Sequence, residues 1–226
     1  MINQTSAVLF DLDGTLLDTA PDLATALNHV LEDRGLPALP FDSIRPVVSH
    51  GARALIELGF GISPRHRDFE PLRKRLLDHY QAHIADQTGL FPGMENVLLG
   101  IEELNIHWGV VTNKPGWLTD PLLDALGLGK RASSIVSGDT LAKNKPHPDP
   151  LLHACRDIGS DPANCVYVGD ARRDIEAARR AGMPSLVAMF GYLMDGDRPD
   201  QWGADALIEQ PSGILDWIGE HTCHTC

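Results

Sequence analysis

The sequence predicts an α/β fold: a Rossmann-like parallel sheet core with a helical cap domain inserted after the first strand. Three observations predict it. Ala7-Val8-Leu9-Phe10 is a short apolar run without alternation, as expected of a parallel strand buried on both faces. From Phe91-Pro92-Gly93 onward, short apolar strands alternate with helical segments, the order that builds a mainly parallel sheet covered by helices. Between these regions, residues 18–90 carry apolar residues at helical spacing and no convincing strand. The core is therefore expected over 1–17 and 91–226, and the cap over 18–90.

In chain order, the first strand ends at Asp11 and Asp13, and Gly14 permits a sharp exit. A helix is predicted from Pro21 to Gly35, with Leu23, Ala26, Leu27, Val30 and Leu31 on one face. Phe41 to Val48, Ala52 to Leu58 and Arg65 to Ile84 follow as helical segments separated by Pro and Gly. The later strands are predicted at Trp108–Thr112, Ile135–Ser137, Cys165–Val168, Ser185–Ala188 and Ala206–Ile208. Hinges are expected where the insertion leaves and rejoins the core, near Leu17 to Thr19 and Leu90 to Gly93.

Composition narrows the class without naming the chemistry. A chain of 226 residues with 43% hydrophobic content can bury one large core and a small satellite domain. Its net charge of −12 disfavours nucleic acid and anionic membrane surfaces as partners. No apolar run approaches the roughly 20 residues that span a bilayer, and the opening MINQTSAVLF lacks a charged leader, so a cytoplasmic location is expected. A monomer or homodimer acting on a small molecule is the expectation. Cys155 and Cys165 read as core residues, while Cys223 and Cys226, with His221 and His224 nearby, have metal-ligand spacing but no second pair and read as a frayed tail.

The chemistry is concentrated at strand ends. A single aspartate there could equally cap the next helix, but two acids at the carboxyl edge of an open α/β sheet point to a ligand or metal site. The D-x-D-G-T order of Asp11, Asp13, Gly14 and Thr15 resembles the first motif of the haloacid dehalogenase superfamily of phosphotransferases. Insertion of helices directly after the first strand resembles that superfamily's helical-cap branch.

Three further segments can be set beside it. Val110-Val111-Thr112-Asn113 resembles the second motif, which implies that Thr112 and Asn113 bind the substrate phosphate. Lys145-Pro146-His147-Pro148 resembles the third, and makes Lys145 the expected phosphate-neutralising lysine, with Lys143 as the alternative. Gly169-Asp170 followed by Asp174 resembles the fourth, whose acids hold Mg²⁺; Asp174 also suits the first turn of a helix. The resemblance implies Asp11 as nucleophile, Asp13 as general acid and base, and Mg²⁺ on Asp11, the Asp13 carbonyl, Asp170 and Asp174.

Substrate choice falls to the cap. Ser49-His50-Gly51-Ala52-Arg53-Ala54-Leu55 resembles a segment of bacterial phosphoglycolate phosphatases, implying that His50, Gly51 and Arg53 meet the substrate; this is the leading expectation. Trp108 to Pro115, Phe190-Gly191-Tyr192 and Trp202 to Asp205 resemble N-acetylmuramic acid 6-phosphate phosphatases, the alternative. A mutase of the β-phosphoglucomutase type shares the same motifs. Lys74 is the only lysine in 18–90 and reads as helix surface, which argues against Schiff-base phosphonate cleavage. A binding module that keeps only a Mg²⁺ site would not need both the nucleophile and the lysine, and both are present.

Overall fold

The computed structural model describes residues 5–221; Cys223 and Cys226 lie outside them. Strand β1 (Ala7–Phe10) leads through β2 (Leu17–Asp18) into helices α1 (Ala20–Glu32), α2 (Phe41–Ile44), α3 (Gly51–Phe60) and α4 (Phe69–Ala82). Strand β3 (Gly89–Leu90) returns the chain to the core. There α5 (Met94–Glu103), β4 (His107–Val111), α6 (Gly116–Ala125), β5 (Ser134–Val136), α7 (Asp149–Ile158) and β6 (Cys165–Gly169) follow. The chain continues through α8 (Arg172–Ala181), β7 (Ser185–Ala188), β8 (Ala206–Ile208) and α9 (Gly213–His221).

The six core strands form one sheet in the order β5-β4-β1-β6-β7-β8, every pair parallel. Strand β1 lies inside the sheet, and all four of its residues are fully buried. Ala7 and Leu9 face the apolar layer under α7 and α8, whereas Val8 and Phe10 face the larger cluster under α5, α9 and the insertion. Both faces are thus covered, which is why the strand reads as a continuous apolar run. Phe10 pairs with Val110 and with Val168, so the chain exits β1, β4 and β6 side by side at one edge.

The helical insertion lies over that edge. Leu23, Ala26, Leu27, Val30 and Leu31 of α1 are buried with Leu72, Leu76 and Tyr80 of α4 and with Leu55 and Ile56 of α3. Helix α4 starts at Phe69 rather than Arg65, because His66 and Phe69 turn back to the carbonyls of Ser63 and His66 before regular helix begins. Strands β2 and β3, absent from the sequence reading, close the insertion's two ends as an antiparallel ribbon pairing Leu17 with Leu90 and Asp18 with Gly89. Two residues per strand are too few to show an alternating pattern. Buried Asp22 secures the return segment by accepting from the backbone N–H groups of Gln87 and Thr88 and from the Thr88 hydroxyl.

Candidate active site

The loops leaving β1, β4 and β6 carry Asp11, Asp13, Thr112, Asn113, Lys114 and Asp170, the first turn of α8 carries Asp174, and the loop before α7 adds Lys145. Gly14, at φ 85°, turns the chain beneath Asp170 so closely that a Cβ there would collide with its carboxylate. The pairing of Phe10 with Val168 brings Asp11 and Asp170 together, and the Gly14 turn packs against the latter.

Lys145 is the hub. Its ammonium is fully buried, 3.0 Å from Asp11 Oδ1 and 2.8 Å from Asp174 Oδ1, and donates to Tyr167 Oη at 2.6 Å. Three acceptors match the three N–H donors of an ammonium. Lys143, the alternative, is exposed and sits 3.8 Å from Asp149, so only Lys145 reaches Asp11. Burial pushes the Asp11 carboxyl up, but Lys145 and Arg173 outweigh it and hold the group below its ordinary range. A buried, ionised carboxylate at a strand end is chemically a nucleophile in waiting.

Asp11, Asp170 and Asp174 each offer a carboxylate oxygen within 4.8 Å of the others. Asp170 Oδ2 accepts from the Ser49 hydroxyl at 2.7 Å and the Tyr192 N–H at 2.9 Å, while its buried Oδ1 has no hydrogen-bond partner among the described residues. Burial, and then the charges of Asp11 and Asp174, push Asp170 up to about 7. An unpartnered hard oxygen among three crowded acids fits a small divalent cation. Asp174 also accepts from the Ala171 N–H at 3.0 Å, so it braces its own helix start as well.

Asp13 stands to one side of this cluster. Its Oδ1 accepts from Thr19 Oγ1 at 2.6 Å and from Lys114 Nζ at 2.8 Å. Thr112 is buried, and its hydroxyl oxygen accepts from the Lys114 N–H at 3.1 Å, leaving its proton to donate. Asn113 accepts from the Lys145 N–H at 3.0 Å and donates to the Lys145 carbonyl at 2.9 Å, so its side chain braces the lysine loop while the residue lines the cleft.

His50, Gly51 and Arg53 line the cleft between the insertion and the strand ends, together with Asp11, Asp13 and Thr112. Arg53 is largely exposed and pairs with Glu57 at 3.1 Å along α3. The cleft volume is ≈ 980 Å³, walled by Leu23, Val48, Phe69, Leu77, Trp117 and Leu118. A second cavity, ≈ 860 Å³ between α1 and α4, has none of the strand-end groups in its lining.

Sequence reasoning missed Lys114, Tyr80, Tyr167 and Arg173. Lys114 directly follows Thr112 and Asn113 and was visible in principle. Arg173, inside the fourth segment, reaches to 3.8 Å from Asp11 Oδ2 and donates to the Ser49 carbonyl at 2.9 Å.

The haloacid dehalogenase-like hydrolase family matches this chain over residues 8–188, a span that contains every strand-end group described above. The chain belongs to that family. This haloacid dehalogenase-like hydrolase is 48% identical over 213 residues to a phosphoglycolate phosphatase of Xanthomonas campestris, covering 93% of this chain and 95% of the relative. It is 42% identical over 217 residues to an N-acetylmuramic acid 6-phosphate phosphatase of Pseudomonas putida, covering 96% and 97%. The crystal structure of a predicted phosphoglycolate phosphatase from Haemophilus somnus superposes with a TM-score of 0.84 at 27% identity, covering 96% of this chain and 99% of that one. The hydrolase is therefore a phosphatase. No helix among its described residues is long and apolar enough to cross a membrane.

Proposed function

We propose that this phosphatase is a Mg²⁺-dependent phosphomonoesterase that works through an aspartyl-phosphate on Asp11. The observation that carries this reading is the ionised Asp11 carboxylate, fixed by Lys145 beside two further buried acids while a separate carboxyl group, Asp13, faces the same cleft. Asp11 attacks phosphorus and the ester P–O bond breaks. Asp13 gives its proton to the departing alkoxide, then takes one from water as that water attacks phosphorus and releases phosphate from Asp11. The Thr112 hydroxyl faces the charge on the non-bridging oxygens, and Lys145, buried against Asp11, offsets charge from behind the nucleophile. Asp11, Asp170, Asp174 and the Asp13 carbonyl would hold Mg²⁺, which when bound supplies positive charge against the repulsion between carboxylate and phosphate dianion.

Residues 18–90 act in this reading as a cap over a core of 1–17 and 91–226, hinged at the β2–β3 ribbon. Closure excludes water for the first step, and opening admits it for the second.

The substrate reading that the cleft favours is a phosphorylated sugar acid of the N-acetylmuramic acid 6-phosphate type. A cleft of ≈ 980 Å³ whose walls include Leu23, Val48, Phe69, Leu77, Trp117 and Leu118 has room for a bulky ligand. Arg53, Arg73 and Lys74 on its rim are paired with Glu57, Glu70 and Asp78 of their own helices, and would turn from these exposed partners to meet a substrate carboxylate. Phosphoglycolate is the second reading, favoured by the 48% identity to the Xanthomonas relative. Measuring kcat/KM with Mg²⁺ for the two substrates side by side, with β-glucose 1-phosphate as the mutase control, decides. Preference for the muramic sugar supports the reading, and preference for phosphoglycolate replaces it.

A further inference from the structure

Both donors to Asp13 grip the same oxygen. Lys114 Nζ and Thr19 Oγ1 reach Oδ1, and no donor reaches Oδ2 among the described residues. The Asp13 side chain retains 18% exposure, and it lines the cleft. An ammonium donates three hydrogen bonds and accepts none, so a proton on Oδ1 would point at another proton. The transferable proton is thereby confined to Oδ2.

Lys114 is itself held from both halves of the molecule. Its Nζ donates to Tyr80 Oη at 2.9 Å, and Tyr80 is a fully buried residue of α4 in the insertion. Its backbone N–H donates to Thr112 Oγ1, and its carbonyl accepts from the Gly138 N–H at 2.7 Å, both within the core. Nothing in the nucleophile, metal or phosphate roles uses this residue.

We propose that Lys114 is a positioning residue of the reaction: anchored by Tyr80 of the insertion, it fixes Asp13 so that Oδ2 alone delivers the proton to the leaving oxygen. This rests on Asp13 being the acid and base of the proposed function. Because the anchor comes from the insertion and the carboxyl from the core, the grip is complete only while the two are packed together.

The test is the dependence of kcat/KM on the leaving group, measured with Mg²⁺ on phosphate esters ranging from 2,4-dinitrophenol to a primary alcohol. A poor leaving group needs the proton and a good one does not. Lys114→Met should lower kcat/KM by about a hundredfold on the alkyl ester and by no more than about threefold on the dinitrophenyl ester. Tyr80→Phe, which keeps the ring packing, should show the same trend at about tenfold, and Lys114→Arg should recover part of the alkyl activity. Asp13→Asn is run in parallel. If it steepens the dependence while Lys114→Met and Tyr80→Phe lower all esters equally, the role of Lys114 is overturned and that of Asp13 stands. If Asp13→Asn shows no steeper dependence, the acid–base reading itself falls.

Discussion

Tyr167 accepts a 2.6 Å hydrogen bond from the Lys145 ammonium and donates its own proton to the Val111 carbonyl at 2.7 Å. The hydroxyl sits mid-strand in β6, fully buried, under the nucleophile's lysine. Burial, Asp11 and Asp174 hold its pKa well above the ordinary phenol range, so it stays protonated and can fill both roles.

Tyr167→Phe therefore leaves a buried ammonium N–H and a carbonyl without partners. We expect a loss of about 1–3 kcal/mol in stability, read as a lower denaturant midpoint at unchanged slope. An unaltered midpoint would show that water or a shifted lysine satisfies both groups.

Asn113 clamps both main-chain groups of Lys145. Asn113→Ala should lower kcat by between about tenfold and a hundredfold while KM changes little, since what moves is the lysine. A raised KM at constant kcat would return Asn113 to the substrate-binding role that its motif implies.

The acid cluster sets a pH dependence of definite sign. With Asp170 at about 7 in the metal-free protein, cation binding below that pH must displace a proton, so Mg²⁺ affinity should fall as pH drops through the window from 7 to 5.5. The folded-state value lies above that of an unfolded carboxyl, so this group's contribution to metal-free stability is lost as pH rises from about 4 to 7. Mg²⁺ should consequently raise Tm more at pH 8 than at pH 5.5. Calorimetric titration and melting at both pH values check this, and a pH-independent Mg²⁺ affinity would contradict it.

The β2–β3 ribbon joins the insertion to the core and is the hinge of the proposed cap motion. Tyr192 joins it to the acid cluster, because its hydroxyl donates to Asp18 at 2.6 Å while its N–H donates to Asp170. Hydrogen exchange at Leu17, Asp18, Gly89 and Leu90 should slow when a phosphate analogue and Mg²⁺ are added together. Unchanged exchange there would place the hinge elsewhere.

Much of this was legible because the chemistry sits where charges are out of place. Asp11, Asp170 and Asp174 follow apolar strands, and a carboxylate at the end of a buried strand announces a site whatever its neighbours are. The same holds for Thr112 and, through its motif, Lys145. The partners that hold these groups were not legible. Tyr80 lies on the apolar face of α4, where its hydroxyl is one atom on an ordinary core residue, and Tyr167 reads as one more strand residue. Their contacts are set by how the insertion and the sheet pack, with sequence separations of 34 and 22 residues from their lysines. Arg53 lines the cleft as its motif implies, and helical spacing also gives it Glu57 one turn on as a partner.

A covalent intermediate on Asp11 can be trapped by rapid quenching of the turning-over enzyme followed by borohydride reduction. The acyl phosphate should be reduced to homoserine at position 11 in the Mg²⁺-loaded enzyme, and Asp11→Asn should yield neither the adduct nor turnover. Reduction at any other carboxylate, or turnover retained by Asp11→Asn, would contradict it.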